Sequence, residues 1–225
     1  SMNMYDLRWL PDGSGLGFSF NGSLYRLSLG SGEWKTWTIP ANRIEWNAEG
    51  TAYLYCRTKN PTAGGEIIEH NLETGVERVV YKSAGGESPY RGLKFSRDHR
   101  WLAWQSIKAP KDMPLKDWKY GIRILDIQSG EVQGFLEQLG SPAFSADGQL
   151  VITVGSYDKN NIPTALHLVS PREGSSKKID LGSSLPKDST VYAPDWSPDG
   201  SKIAFGTRSS KRDSILMKNV IAGKR

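Results

Sequence analysis

Pro194-Asp195-Trp196-Ser197-Pro198-Asp199-Gly200-Ser201-Lys202-Ile203-Ala204-Phe205 is the stretch that decides the fold. It reads as one strand ending on a large aromatic, a tight turn, and the start of a return strand. Pro198 presets φ for the first corner, Asp199 can bond its own backbone, and Gly200 accepts a positive φ. Ile203 to Phe205 then resume with apolar, β-favouring side chains. A single hairpin of this kind is marginal in water, so its weight lies in recurrence.

The unit recurs four more times upstream. Leu7-Arg8-Trp9-Leu10-Pro11-Asp12-Gly13 is the first copy and Ile44-Glu45-Trp46-Asn47-Ala48-Glu49-Gly50 the second. Leu93-Lys94-Phe95-Ser96-Arg97-Asp98-His99 is the third, with His99 where the others have glycine, and Pro142-Ala143-Phe144-Ser145-Ala146-Asp147-Gly148 is the fourth. The anchors Trp9, Trp46, Phe95, Phe144 and Trp196 follow one another at roughly 40–50 residues, the period of propeller blades.

An aromatic followed by Ser-Pro-Asp-Gly and then Ile-Ala-Phe resembles the TolB-like, WD-repeat-related β-propeller family, and the match runs over nearly the whole chain. The resemblance implies an all-β fold of four-stranded antiparallel blades and a bacterial, periplasmic or envelope setting. It also implies non-catalytic roles: interaction platforms, sensor domains and gates on peptidases. Fold-level likeness by itself fixes no activity.

Composition fits one all-β domain over 1–225. The chain has 24 Gly and 12 Pro for many short turns, and 8 Trp and 9 Tyr for aromatic packing. A net charge of +5 favours acidic partners but is far from the basic stripe of a nucleic-acid binder. One cysteine, Cys56, excludes an internal disulfide and reads as a small buried hydrophobe in a strand. No run is apolar enough to suggest membrane insertion, and no signal peptide is visible.

Labelled A to D from the inside of each blade, the strands are expected at Met4–Trp9, Gly15–Phe20, Ser23–Leu29 and Glu33–Ile39 in the first repeat. Strands B, C and D of the second are expected at 51–57, 66–72 and 76–81. The third gives 100–107, 120–127 and 131–136, and the fourth 149–155, 164–170 and 177–181. The fifth gives 202–207 and 214–220, with no convincing D strand before Arg225. Closure is therefore expected to be incomplete, leaving an open edge able to pair with a second copy.

Chemistry-bearing residues are sparse. His70, His99 and His167 fall in different repeats, and no HExxH, P-loop or nucleophile elbow appears. No metal or cofactor is expected. Asp12, Glu49, Asp98, Asp147 and Asp199 recur, but at the turn position, where stabilising the turn accounts for them. Asp195, beside its anchor, is the one further carboxylate of interest. Paired acids at a channel mouth would instead point to a glycosidase or polysaccharide lyase, the alternative reading.

The charge distribution is more informative. Connections alternate between the two ends of a blade, so the B–C connections share one end. Four of them are long, and three carry more cations than anions. Arg57, Lys59, Lys111, Lys119, Lys159, Arg208, Lys211 and Arg212 lie in or beside them, with Trp118 and Tyr157 among them. The expectation is a non-catalytic module that takes a protein, peptide or acidic carbohydrate on this basic face.

Overall fold

The structure, a computed structural model, describes residues 4–40, 43–112, 114, 117–157, 163–179, 181, 189–197, 199–208 and 213–219. The described chain is built of antiparallel strands and falls into two compact units. One comprises Ser1–Leu93 with Ile107–Asp117, the other Lys94–Ser106 with Trp118–Arg225.

The first sheet runs in chain order through β1 (Met4–Trp9), β2 (Gly15–Phe20), β3 (Ser23–Ser28) and β4 (Trp34–Thr38). Asn21 and Gly22, at φ 48° and 74°, make the β2–β3 turn, as hairpin twist requires of two central residues. Cross-strand register divides the sheet cleanly. Trp9, Leu16, Leu27 and Trp34 form one row across all four strands. Gly17, Arg26 and Lys35 form a row on the opposite side.

The second sheet follows the same order: β5 (Glu45–Trp46), β6 (Ala52–Asn60), β7 (Gly64–Asn71) and β8 (Glu77–Lys82). Its Trp46 is 3% exposed and lies against the first sheet, in a cluster with Leu10, Leu24, Ile39, Tyr53 and Tyr55. Gly17 makes room for the indole, since a Cβ there would stand 2.5 Å from Cζ2 of Trp46. The expected loop at 58–65 is shorter than its sequence suggests: β6 continues through Asn60, and only Pro61–Ala63 form a 3-10 turn.

The third sheet comprises β9 (Glu87–Phe95), β10 (Trp101–Lys108), β11 (Lys119–Asp126) and β12 (Leu136–Glu137), in the order β12-β11-β10-β9. The division into units falls within β9 and β10. Its outer strand is far shorter than the expected 131–136. Val132 makes an isolated bridge to Leu125, and the Gln133 carbonyl accepts from Arg123 Nη1 instead of a long ladder.

In the second unit, β13 (Leu139–Phe144), β14 (Val151–Tyr157), β15 (Pro163–Val169) and β16 (Ser176–Lys178) form the fourth sheet. β17 (Thr190–Trp196), β18 (Lys202–Arg208) and β19 (Asp213–Asn219) form the fifth, three-stranded among the described residues. Residues of the fourth sheet pack on Trp101, Ala103, Ile122 and Ile124 of the third through Val151, Val169 and the partly buried Phe144. Val191, Ile203, Phe205 and Trp196 of the fifth pack on Ala143, Ile152 and Leu166 of the fourth. The Trp196 indole is partly buried and donates from Nε1 to the Ala143 carbonyl at 3.2 Å, the anchoring role expected of it.

The anchor-bearing strands of several sheets carry a kink that the motif does not advertise. Register shifts interrupt β1, β13 and β17 shortly before their anchors. Ser141 and Ala193, each three residues ahead of its anchor, are left-handed at φ 52° and 45°, and Gly92 takes the same place before Phe95 at φ 68°. Such bulges bend a strand and re-aim the side chains that follow.

Candidate functional site

The recurrent carboxylates are turn elements. Ser96, Ser145 and Ser197 each donate a hydroxyl to Oδ1 of the aspartate two residues on. Each same hydroxyl accepts the backbone N–H five residues on, at Trp101, Leu150 and Lys202. The aspartate in turn accepts the amide of Arg100, Gln149 or Ser201. Asn47 takes the serine's place in the second repeat, with its Nδ2 on Glu49 and its Oδ1 accepting from Thr51 and Ala52. His99 holds the glycine position of the third repeat at φ 54° and lies against Phe95 with the ring centroids 4.7 Å apart and the planes tilted by 42°. The serine hydroxyls hold Asp98 and Asp147 below the usual carboxylate range, and Asp199 falls to about 2. Asp195 is exposed and accepts from the Trp196 amide.

Within the first unit, three connections are stitched into one rim. The Gly86 amide donates to the Thr62 carbonyl at 2.8 Å, and the Ala109 amide donates to the Gly86 carbonyl at 2.8 Å. This ties the β6–β7 connection to the β8–β9 connection, and that to the segment leaving β10. Ser83 Oγ accepts from the Gly65 amide and donates to the Glu87 carbonyl. Thr58 Oγ1 sits 2.7 Å from Ser88 Oγ and donates to the Pro89 carbonyl. Asn60 caps the short turn by accepting from the Thr62 amide and hydroxyl. Two consecutive B–C connections thus meet at one edge, and Lys111 stands exposed on it, beside the left-handed Asp112.

The cations expected at this end do not all point outward. Arg57 lies in β6 directly opposite Glu66. It donates to Glu66 Oε2 from Nε and Nη2, and to Glu77 Oε2 from Nη1 at 2.8 Å. Lys119, at the start of β11, is 2.8 Å from Glu137 of β12. Cross-strand register gives both an internal anion, and this the alternation of charges in sequence did not reveal. Lys59 lies in β6 and Tyr157 ends β14. Trp118 is half-buried just before β11, and Arg208 is exposed at the end of β18. Lys159, Lys211 and Arg212 lie outside the described residues.

A polar ladder on the second sheet also escaped the sequence. Tyr55 Oη donates to Glu77 Oε1 at 2.7 Å, His70 Nδ1 is 3.5 Å from the same oxygen, and Lys82 Nζ is 3.4 Å from Glu66 Oε1. Burial, with the Glu77 charge, pushes the Tyr55 hydroxyl up to about 12, so it stays a donor. Cys56, in the same strand β6, is partly buried, and desolvation raises its thiol to about 12. His70, His99 and His167 lie on β7, at the β9–β10 turn and on β15. No group of three or more His, Cys, Asp or Glu side chains that could hold a metal ion occurs among the described residues.

No protein-family profile matches the chain. An uncharacterized protein of Agrobacterium fabrum (strain C58) is 21% identical over an alignment of 178 residues that covers 76% of this chain and 56% of that protein. Oligogalacturonate lyase from Vibrio parahaemolyticus superposes with a TM-score of 0.68 at 20% identity, over 96% of this chain and 62% of the lyase. A proposed TolB from Agrobacterium tumefaciens gives 0.68 at 18% identity, over 99% of this chain and 79% of that one. TolB from Acinetobacter baumannii gives 0.61 at 16%, over 98% and 51%. The chain thus spans less than two thirds of the length of the lyase and of the Agrobacterium fabrum relative. Repeated aromatic anchors, antiparallel four-stranded sheets and these superpositions agree that the fold is that of the TolB-like β-propellers.

Proposed function

We propose that this chain is a non-catalytic binding module whose B–C end receives an acidic, extended ligand: an acidic glycan or an acidic protein segment. The observation that supports it is the stitched rim. Backbone hydrogen bonds hold two consecutive connections in a fixed shape, and Lys111 projects from it. A rim ordered before binding loses little entropy on capture, and cations on it speed the approach of anions at low salt. Lys59 of the same unit is proposed to act with Lys111, and Lys159, Arg208, Lys211, Arg212, Trp118 and Tyr157 of the other unit are proposed as contacts in their own right.

The likeness to oligogalacturonate lyase supplies a probe, since oligogalacturonate is a polyanionic glycan. Calorimetric titration with it, and with an Asp/Glu-rich peptide, at low and at physiological ionic strength is the test. Wild type should bind one of them more tightly at low salt. The Lys111→Glu, Lys211→Glu, Arg212→Glu triple variant should bind at least tenfold more weakly, with a flatter salt dependence and an unchanged unfolding midpoint. Equal affinity in the variant would remove the basic end from the account. The lyase likeness also favours a second reading, eliminative cleavage of the same glycan. Because a similar oligogalacturonate lyase is solved in complex with manganese, incubation with oligogalacturonate and manganese, followed by the absorbance of the unsaturated product, decides for it if product accumulates.

A further inference from the structure

Four side chains form one row across the second sheet: Trp46 on β5, Tyr53 on β6, His70 on β7 and Glu77 on β8, each directly opposite the next. Trp46 and Tyr53 are turned to the first sheet, in the cluster with Leu10, Leu24 and Ile39. The polar atoms of the row are not served alike. Glu77 accepts from Tyr55 Oη and Arg57 Nη1 and faces His70 Nδ1 at 3.5 Å. Trp46 Nε1 and Tyr53 Oη, both enclosed, meet no hydrogen-bonding group among the described residues. Buried polar atoms left this way are rare in folded proteins, because their lost hydration is not replaced.

Neither ring is free to turn toward solvent. The Trp46 indole fills the place of a side chain at Gly17, with Nε1 2.8 Å from where a Cβ would stand. Tyr53 is stacked on His70 at 5.1 Å and tilted against Tyr55 at 5.9 Å. Burial also raises the Tyr53 hydroxyl above its ordinary pKa, so Oη keeps its proton. Two donors thus stand on directly opposed positions, whose Cβ atoms lie ~5 Å apart. One oxygen with two lone pairs, ~2.9 Å from each donor, spans such a pair. An anion there would need a cation to itself, and the two in register with Gly17 are engaged: Arg8 is 3.2 Å from Glu45, and Arg26 donates to the Gly50 carbonyl. We propose that one internal water molecule sits between the first and second sheets and accepts from both Trp46 Nε1 and Tyr53 Oη. Internal waters of this kind serve polar groups that the chain cannot serve itself. This one ties β5, which has only two residues in the ladder, to β6 through side chains.

Oxygen-17 magnetic relaxation dispersion, which counts long-held internal waters and does not see exchanging hydroxyl protons, tests the proposal. Tyr53→Phe should lose the amplitude of one such water relative to wild type, with unchanged circular dichroism. Tyr55→Phe, whose hydroxyl serves Glu77, should lose none. In wild type the Trp46 indole N–H should also show a nuclear Overhauser effect of bound-water sign to the solvent line. Equal dispersion amplitudes in wild type and Tyr53→Phe would overturn the proposal. So would a Trp46 indole that shows no such effect in wild type, or one whose effect is removed by chloride titrated at constant ionic strength. Should Tyr53→Phe fail to fold, the wild-type indole measurement decides alone.

Discussion

Trp9 and Trp46 occupy the same place in the same motif and meet opposite fates. Trp46 is 3% exposed above a glycine of the preceding sheet, whereas Trp9 is 64% exposed. Both end an inner strand and precede a turn held by a side-chain oxygen, Asp12 Oδ1 for the Ser14 amide and Asn47 Oδ1 for Thr51. Local sequence therefore sets the hairpin and the aim of the aromatic. What the ring contributes depends on whether a sheet stands in front of it.

The largest effect follows from removing the buried ring. Trp46→Ala should cost about 3–5 kcal/mol, the usual range for a deleted core aromatic, while Trp9→Ala at low protein concentration should stay within about 0.5 kcal/mol. Denaturant titration of both variants breaks the comparison if the two losses are alike. Next comes the slot. Gly17→Ala places a Cβ 2.5–2.8 Å from atoms of the Trp46 indole and should destabilise by about 1–3 kcal/mol. Gly30→Ala, with nothing within 4 Å, should change stability by less than about 0.5 kcal/mol.

The turn beneath the anchor should yield a smaller loss. Ser145 is 6% exposed and links Asp147 to the Leu150 amide, so Ser145→Ala should cost about 1–2 kcal/mol. It also has a pH signature. Asp147 and Asp98 titrate below their ordinary value when folded, and Asp199 at about 2. A carboxylate depressed by folding adds stability that is complete above its unfolded value, ~3.9, and is lost as pH falls through the folded one. The unfolding midpoint should drop between about pH 4 and 2, and less steeply in Ser145→Ala.

Most of the strand pattern was legible because hydrophobic alternation and turn residues are local. β1 and β2 match their expected bounds, and β18 and β19 fall within a residue of theirs at each end. Strand ends failed where tertiary hydrogen bonds decide them. Asn60 and Gly64 pair across a 3-10 turn that reads as loop, and Arg123 takes the Gln133 carbonyl that a full outer strand would use. The bulges ahead of the anchors were illegible at Ser141 and Ala193, because neither residue type announces a left-handed backbone. The candidate site was legible as charge and not as pairing. Arg57 and Lys119 look free in sequence, and only strand register sets Glu66 and Glu137 beside them.

The most direct test of the contrast is an NMR spectrum of the indole N–H groups, with Trp9 and Trp46 assigned through Trp9→Phe and Trp46→Phe, recorded with a soluble paramagnetic agent at low protein concentration. Relaxation from the agent falls steeply with depth, so exposure is read at each ring separately. The agent should broaden the Trp9 signal and leave the Trp46 signal sharp. A sharp Trp9 signal in the monomer, or a Trp46 signal broadened as much as that of Trp9, would contradict it.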